Sequence, residues 1–131
     1  HRIVEGDAAS IADLDKAIPR LVMSAFATAG QVCLSLQRLF VHASMADTVI
    51  ERRVEQTKAL KVGDPRDRGC DVGPMISEAA ADRVGNWVQA ALDGGARRPV
   101  GGRREGKLVW PTVLTHTRPE MKVMACASVP P

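Results

Sequence analysis

Apolar residues recur at two spacings along this chain, and the changes between them mark its elements. Ile11, Leu14, Ile18, Leu21, Val22, Ala25, Phe26 and Ala29 fall three and four apart, which gathers them on one face of a helix. Ser10, with Asp13 three residues on, reads as its N-cap, and Gly30 as its stop. Pro19 lies inside and has no N–H to donate, so the helix is predicted to bend or split there. A second helix starts at Ser44, with Asp47 behind it. It carries Ala46, Val49, Ile50 and Val54 and runs to about Leu60. Ser77 caps a third, whose face is Ala81, Val84, Trp87, Val88, Ala91 and Leu92, and Gly94-Gly95 ends it.

Short β-favouring runs lie between these helices. Arg2-Ile3-Val4 is one, closed by Gly6-Asp7, and residues 36–41 are another. Val100-Gly101-Gly102 reads as a strand running into a turn. Leu108-Val109-Trp110 and Thr112-Val113-Leu114 flank Pro111, and residues 121–125 read as a last strand. Lys61-Val62-Gly63-Asp64-Pro65 is a turn, followed by polar loop to Gly73-Pro74. Asp64 is expected to shape that turn through a local backbone hydrogen bond. Helices placed between strands imply an α/β fold with a mostly parallel sheet flanked by helices. No internal repeat or low-complexity stretch interrupts the pattern.

Composition narrows the class. The 131 residues suffice for one domain with a core and not for two. With 45% hydrophobic and 25% charged residues, the chain has the balance of a globular protein. Tyr is absent, and Phe and Trp number two each, so the core must be aliphatic. The net charge of +3 comes largely from scattered arginine pairs such as Arg52-Arg53, Arg97-Arg98 and Arg103-Arg104. Scarce aromatics leave these pairs without stacking platforms, which argues for solvated surface and no nucleic-acid partner. No apolar run is long enough to span a bilayer, so no membrane partner is expected. No charged leader with an apolar core opens the chain. The first residue is His1, which suggests a piece of something longer. Three widely spaced cysteines make neither a disulfide framework nor a zinc pattern. Free thiols point to the cytoplasm.

One cysteine sits where chemistry is favoured. In Gly30-Gln31-Val32-Cys33-Leu34-Ser35-Leu36-Gln37-Arg38, Cys33 lies just after a helix stop and just before a β-rich run. Such a turn can hold a thiolate still with backbone N–H groups beside it. A buried cysteine is otherwise an ordinary small apolar residue. His42 ends a strand and His116 sits in a loop, and neither pairs with Cys33 in sequence; a Cys-His hydrolase dyad in space is the sharp alternative.

This segment resembles the nucleophile segment of the aldehyde dehydrogenase superfamily, Gly-Gln-x-Cys with Arg five positions later. Four other blocks in family order support the resemblance. They are Asp13-Leu14-Asp15-Lys16-Ala17; Lys61 to Pro65 with Asp71-Val72-Gly73-Pro74; Gly94-Gly95-Ala96 with Gly101-Gly102 and Pro111-Thr112-Val113-Leu114; and Met121-Lys122-Val123. The resemblance implies an incomplete aldehyde dehydrogenase-like catalytic domain over residues 1–131. In that reading Cys33 attacks an aldehyde to form a thiohemiacetal and then a thioester, with its own N–H as one oxyanion donor. NAD or NADP is the implied cofactor. An aldehyde is the implied substrate, and a homo-oligomer the implied assembly. Arg38 reads as structural, pairing with a carboxylate on a neighbouring element. Cys70 and Cys126 match no functional position.

The chain also departs from the family pattern. It holds no Gly-rich strand-loop-helix for a dinucleotide, no Glu-Leu-Gly-Gly segment for the general base, and no counterpart of the oxyanion asparagine. Where the family runs on to Glu-Glu-x-Phe-Gly-Pro, Ala127 and Val129 stand in place of the ribose-binding glutamate and the phenylalanine. Neither replacement can do the same work. Two functional readings follow. One is the nucleophile-bearing part of an NAD(P)-dependent aldehyde oxidoreductase, inactive alone. The other is a non-catalytic folding or assembly module derived from one. In both, uncovered sheet edges and apolar faces predict self-association.

Overall fold

The computed structural model describes residues 2–4 and 11–125. The elements run β1 (Arg2–Val4), α1 (Ile11–Phe26), β2 (Leu39–Val41), α2 (Ala46–Lys58), α3 (Glu78–Asp93), β3 (Arg97–Val100), β4 (Arg104–Glu105), β5 (Leu108–Val109), β6 (Val113–Thr115) and α4 (Lys122–Ala125). The proposed Ser10 cap and the Gly6-Asp7 stop lie outside the described residues.

The chain is α/β, but the described strands do not form one mostly parallel sheet. β1 and β2 pair in parallel, with Ile3 opposite Phe40. β3 pairs with β6, and β4 with β5, both antiparallel. An isolated parallel bridge joins Val62 to Val72. The connections explain the difference. Only α1 acts as a crossover helix between paired strands, and parallel pairing needs such a crossover. From β3 to β6 no helix intervenes, and tight turns impose antiparallel ladders. The β4–β5 hairpin closes through Gly106 and Lys107, with Gly106 at φ +54°.

α1 runs on through Pro19 without splitting. Leu14 and Ile18 before the proline, and Leu21, Val22 and Ala25 after it, are all buried on one face. Pro19 and Asp15, whose carbonyl loses its donor, are exposed, so water can take the missing bond. The helix stops at Phe26 and not near Gly30. A 3-10 turn over Ala27–Gly30 follows, in which Thr28, Ala29 and Gly30 all have positive φ.

Three apolar clusters hold the chain together. The largest joins α1 to α2 and β2 through Leu14, Ile18, Leu21, Val22, Leu36, Met45 and Val49. It is aliphatic, as the composition requires. Arg52 of α2 pairs with Asp15 of α1 across its rim. The second cluster places Met75, Ala80 and Ala81 at the start of α3, with Ala29 and Val109 against them. The third packs Ala91, Ala96 and Met121. In α3, Ala81 and Ala91 are buried, and Val84, Trp87, Val88 and Leu92 are half-buried, as the periodicity predicts. Ser77 caps the helix by accepting from the Ala80 N–H at 3.1 Å.

Two boundaries move and one element changes type. α2 ends at Lys58. A 3-10 turn over Ala43–Met45 precedes it, capped by His42, whose Nδ1 accepts from the Ser44 N–H at 3.3 Å. Residues 122–125 form α4 and not a strand. Lys, Met and Ala are helix formers, Val123 is the one β-branched residue there, and no alternation of faces is present. Burial of Met121 against Ala91 and Ala96 fixes the turn that starts this helix.

Candidate functional site: the Cys33 turn

Cys33 lies at the crest of a turn over residues 32–35, closed by the Ser35 N–H donating to the Val32 carbonyl at 3.0 Å. The exit of the turn is tied to the end of α1. The Ser35 hydroxyl donates to the Ala25 carbonyl at 3.0 Å, and the Leu36 N–H to the Ser24 carbonyl at 3.0 Å. These bonds fill acceptors that the end of a helix leaves open. The buried Leu36 then anchors the exit of the turn in the largest cluster.

The approach to the turn is unusual. Thr28 and Ala29 have φ +54° and +55°, and Gly30 follows at +72°. Two consecutive non-glycine residues in the left-handed region need support from their surroundings. Ala29 receives it by packing against the Met75, Ala80 and Ala81 cluster. At Gly30 a Cβ would stand 3.2 Å from the Ala25 carbonyl oxygen, so a side chain there would crowd the end of α1.

Gln31 spans the gap between two parts of the chain. Its backbone N–H and its side-chain Nε2 both donate to the Thr28 carbonyl, at 3.1 and 3.2 Å. Its Oε1 accepts from the Ile76 N–H at 2.8 Å. Gln31 has no role that the sequence pattern alone points to. Its position between Gly30 and Cys33 was the available signal. Ile76, 45 residues away, carried none.

The thiol of Cys33 is exposed and free. Among the described residues, no acceptor takes the Cys33 N–H. Its chain neighbours Val32 and Leu34 are 39% and 87% exposed, giving the thiol an apolar, open rim. That set can do one thing chemically: present a sulfur nucleophile with a backbone donor beside it. Two hollows lie elsewhere. One of about 110 Å³ is lined by Ala81, Val84, Arg98 and Arg104, and one of about 420 Å³ by Arg83, Trp87 and Lys122. Neither includes a residue of the Cys33 turn.

The other singled-out residues fall as follows. His42 bonds to Ser44, and His116 to the Thr115 hydroxyl at 3.1 Å; neither bonds to Cys33. Among the described residues Arg38 makes no ion pair. Cys70 donates to the Val72 carbonyl at 3.4 Å and is half-buried. Cys126, Ala127 and Val129 lie outside the described residues. Asp64 does shape its turn: Oδ1 accepts from the Arg66 N–H at 2.9 Å. The Arg66 guanidinium beside it holds the Asp64 carboxyl below the ordinary carboxylate range, and Asp64 in turn raises Arg66. The loop around it is pinned at its neck, where the Lys61 N–H donates to Asp71 Oδ2 and the Asp71 N–H to the Lys61 carbonyl, both at 2.8 Å. No group of three or more potential metal ligands occurs among the described residues. No described helix is long and apolar enough to cross a membrane.

A thiol-bearing turn tied to a crossover helix in an α/β chain is the class that the geometry defines. The comparisons are more specific. The model of the aldehyde dehydrogenase family matches residues 3–126, and the chain belongs to that family. It is 42% identical over 112 residues to a 3-sulfolactaldehyde dehydrogenase of Priestia aryabhattai, covering 86% of this chain and 24% of the relative. It is 44% identical over 107 residues to a lactaldehyde dehydrogenase of Methanocaldococcus jannaschii, covering 82% of this chain and 23% of the relative. Solved structures agree. A glyceraldehyde-3-phosphate dehydrogenase of M. jannaschii complexed with NADP superposes with a TM-score of 0.81 at 42% identity, over 86% of this chain and 24% of that one. A salicylaldehyde dehydrogenase of Pseudomonas putida complexed with salicylaldehyde gives 0.84 at 35% identity, over 93% and 25%. The chain thus spans about a quarter of the length of the relatives it matches.

Proposed function

We propose that residues 1–131 are the partial, nucleophile-bearing domain of an NAD(P)-dependent aldehyde dehydrogenase, and that Cys33 is its nucleophile. The observation that carries this reading is the Cys33 turn: an exposed thiol, an N–H with no acceptor among the described residues, and an exit tied to the end of α1 by Ser35 and Leu36. The Cys33 sulfur bonds to the carbonyl carbon of an aldehyde, and the carbonyl π electrons move to oxygen. The Cys33 N–H donates to that oxygen, where negative charge develops. Loss of hydride from the thiohemiacetal carbon leaves a thioester on Cys33. Water then adds to the thioester, the thiolate leaves, and a carboxylic acid is released.

NAD or NADP supplies the hydride acceptor when bound. The described residues do not fit such a dinucleotide. Their glycine turns at 101–102 and 106 join strand to strand, whereas a dinucleotide cradle joins strand to helix N-terminus. No contact of this chain with the cofactor is therefore derived.

The 131-residue chain alone is proposed not to turn over. Among the described residues no imidazole or carboxylate bonds to Cys33, and the open rim does not exclude water. The exposed Met23, Leu34, Phe40 and Ile76 support a second role in self-association, and with it a homo-oligomer. The free Cys33 and Cys70 thiols support a cytoplasmic setting.

The test is site-resolved alkylation by iodoacetamide, read by peptide mass spectrometry, on folded chain and on urea-unfolded chain. A preformed nucleophile site makes Cys33 react faster folded than unfolded, while Cys70 reacts more slowly folded. NAD(P)H production with a panel of aldehydes is expected to be absent for this chain alone. If Cys33 is no faster folded than unfolded, the nucleophile reading fails for these residues.

A further inference from the structure

Gln31 joins the Cys33 segment to a distant part of the chain by a side-chain hydrogen bond. Its Oε1 accepts from the Ile76 N–H at 2.8 Å, and its Nε2 donates to the Thr28 carbonyl at 3.2 Å. The Thr28 carbonyl belongs to the left-handed turn, which is unfavourable for Thr28 and Ala29 on their own. The Ile76 N–H belongs to a segment fixed independently. Met75 beside it is buried, and its N–H donates to the Lys107 carbonyl at 2.8 Å. The Ile76 side chain is 84% exposed, so its backbone, not its packing, meets Gln31. Gln31 therefore clamps a strained turn to a rigid neighbour, two residues before Cys33.

Resting on the nucleophile reading above, we propose that Gln31 is a positioning residue for the thiol step. It does not touch the reacting atoms. It holds the Thr28 to Gly30 turn in its left-handed path, and that path sets where the Cys33 sulfur and N–H point. Without the clamp the turn relaxes toward ordinary backbone conformations, and sulfur and N–H lose their common orientation. An acceptor at glutamine length makes the bond that spans the two parts of the chain. Ile76 is the partner that matters, because it spans the two parts of the chain.

Three forms of the 131-residue chain test the idea: parent, Gln31→Met and Gln31→Glu. Methionine keeps length and bulk but makes neither bond. Glutamate keeps the acceptor for Ile76 and loses the donor. The readouts are the folded-to-unfolded alkylation ratio of Cys33 across pH, with Cys70 as internal reference, and amide exchange at Ile76. Gln31→Met is expected to lower the Cys33 ratio by about threefold or more, to change its pH profile, and to leave Cys70 unchanged. Ile76 exchange speeds up in that variant. Gln31→Glu is expected to restore Ile76 protection and to bring Cys33 within about twofold of parent. An unchanged Cys33 ratio in Gln31→Met overturns the proposal, as does a Glu variant that protects Ile76 without restoring Cys33. If Met opens the whole fold, Cys70 accelerates as well, and the Glu variant decides by whether Cys33 recovers. A parent chain whose Cys33 is no faster folded than unfolded defeats the nucleophile reading instead, before any variant is compared.

Discussion

Replacing Gly101 by alanine tests how the β3–β6 ladder is closed. Gly101 follows β3 at φ +93°, and a Cβ there would stand 2.3 Å from the Pro111 carbonyl oxygen and 2.6 Å from Thr112 Cα. The third neighbour, Thr112 Oγ1 at 2.5 Å, is itself held, accepting from the Gly102 N–H and donating to the Trp110 carbonyl. Two of the three obstacles are backbone, so rotating side chains cannot make room. A residue with a Cβ in the left-handed region costs about 1–2 kcal/mol. Displacing packed neighbours adds about 1–3 kcal/mol. The expected loss is about 2–5 kcal/mol, a large part of the roughly 5–15 kcal/mol that holds an ordinary domain folded. Two glycines provide the comparison. Gly106 has φ +54° with nothing within 4 Å, so Gly106→Ala should cost only the backbone part, about 1–2 kcal/mol. Gly85 lies inside α3 with nothing within 4 Å, so Gly85→Ala should stabilise by about 0.5–1 kcal/mol. Urea unfolding followed by circular dichroism, with linear extrapolation, ranks the three. An equal loss at 101 and 106 would refute the steric argument, and a loss at 85 would refute the account of α3.

Three other outcomes are expected. Leu14→Ala empties the centre of the largest cluster, where Leu14 is 2% exposed, and should cost about 2–5 kcal/mol in the same urea assay. Ser77→Ala removes the acceptor for the Ala80 N–H and should cost about 1 kcal/mol, while Ser77→Asp should not. Asp64 should titrate below the ordinary carboxylate value of about 3.9 in carboxyl-detected NMR, and Arg66→Gln should move it back up. Because the folded value is depressed, what the Asp64 turn contributes is present above the unfolded value and is lost as pH falls through the folded one. The Arg66 N–H should therefore lose its protection from exchange, relative to the unfolded chain at the same pH, only at acid pH. An Asp64 midpoint unmoved by Arg66→Gln would remove the guanidinium as the cause.

Local rules carried much of the helical content. The periodicity of α3, its Ser77 cap and its Gly94-Gly95 stop appear in the structure where the pattern places them. The Asp64 turn is equally local, since Asp64 and Arg66 are two residues apart. The errors came where a local rule met a distant contact. Pro19 did not split α1 because both halves bury the same face, and the lost backbone bond falls on the solvent side. Residues 122–125 became a helix once Met121 was buried. β1, β2 and β5 fall within the β-favouring runs and β6 overlaps one, but β3 meets its run only at Val100, β4 carries no such signal, and two- to four-residue strands carry little information about register.

The candidate site divides along the same line. The amino-acid order alone determined that a cysteine would follow a helix stop, that the core would be aliphatic, and that the chain would resemble aldehyde dehydrogenases. These follow from residue identity and short-range spacing. Only the tertiary structure decided that Thr28 and Ala29 take left-handed conformations and that Ala29 packs against the start of α3. It also decided that Gln31 meets the Ile76 N–H across 45 positions. The reason is physical. A left-handed alanine is unfavourable by itself, and a hydrogen bond between distant segments has no period. Both exist here because burial of Met75, Ala80 and Ala81 brings the second segment against the first.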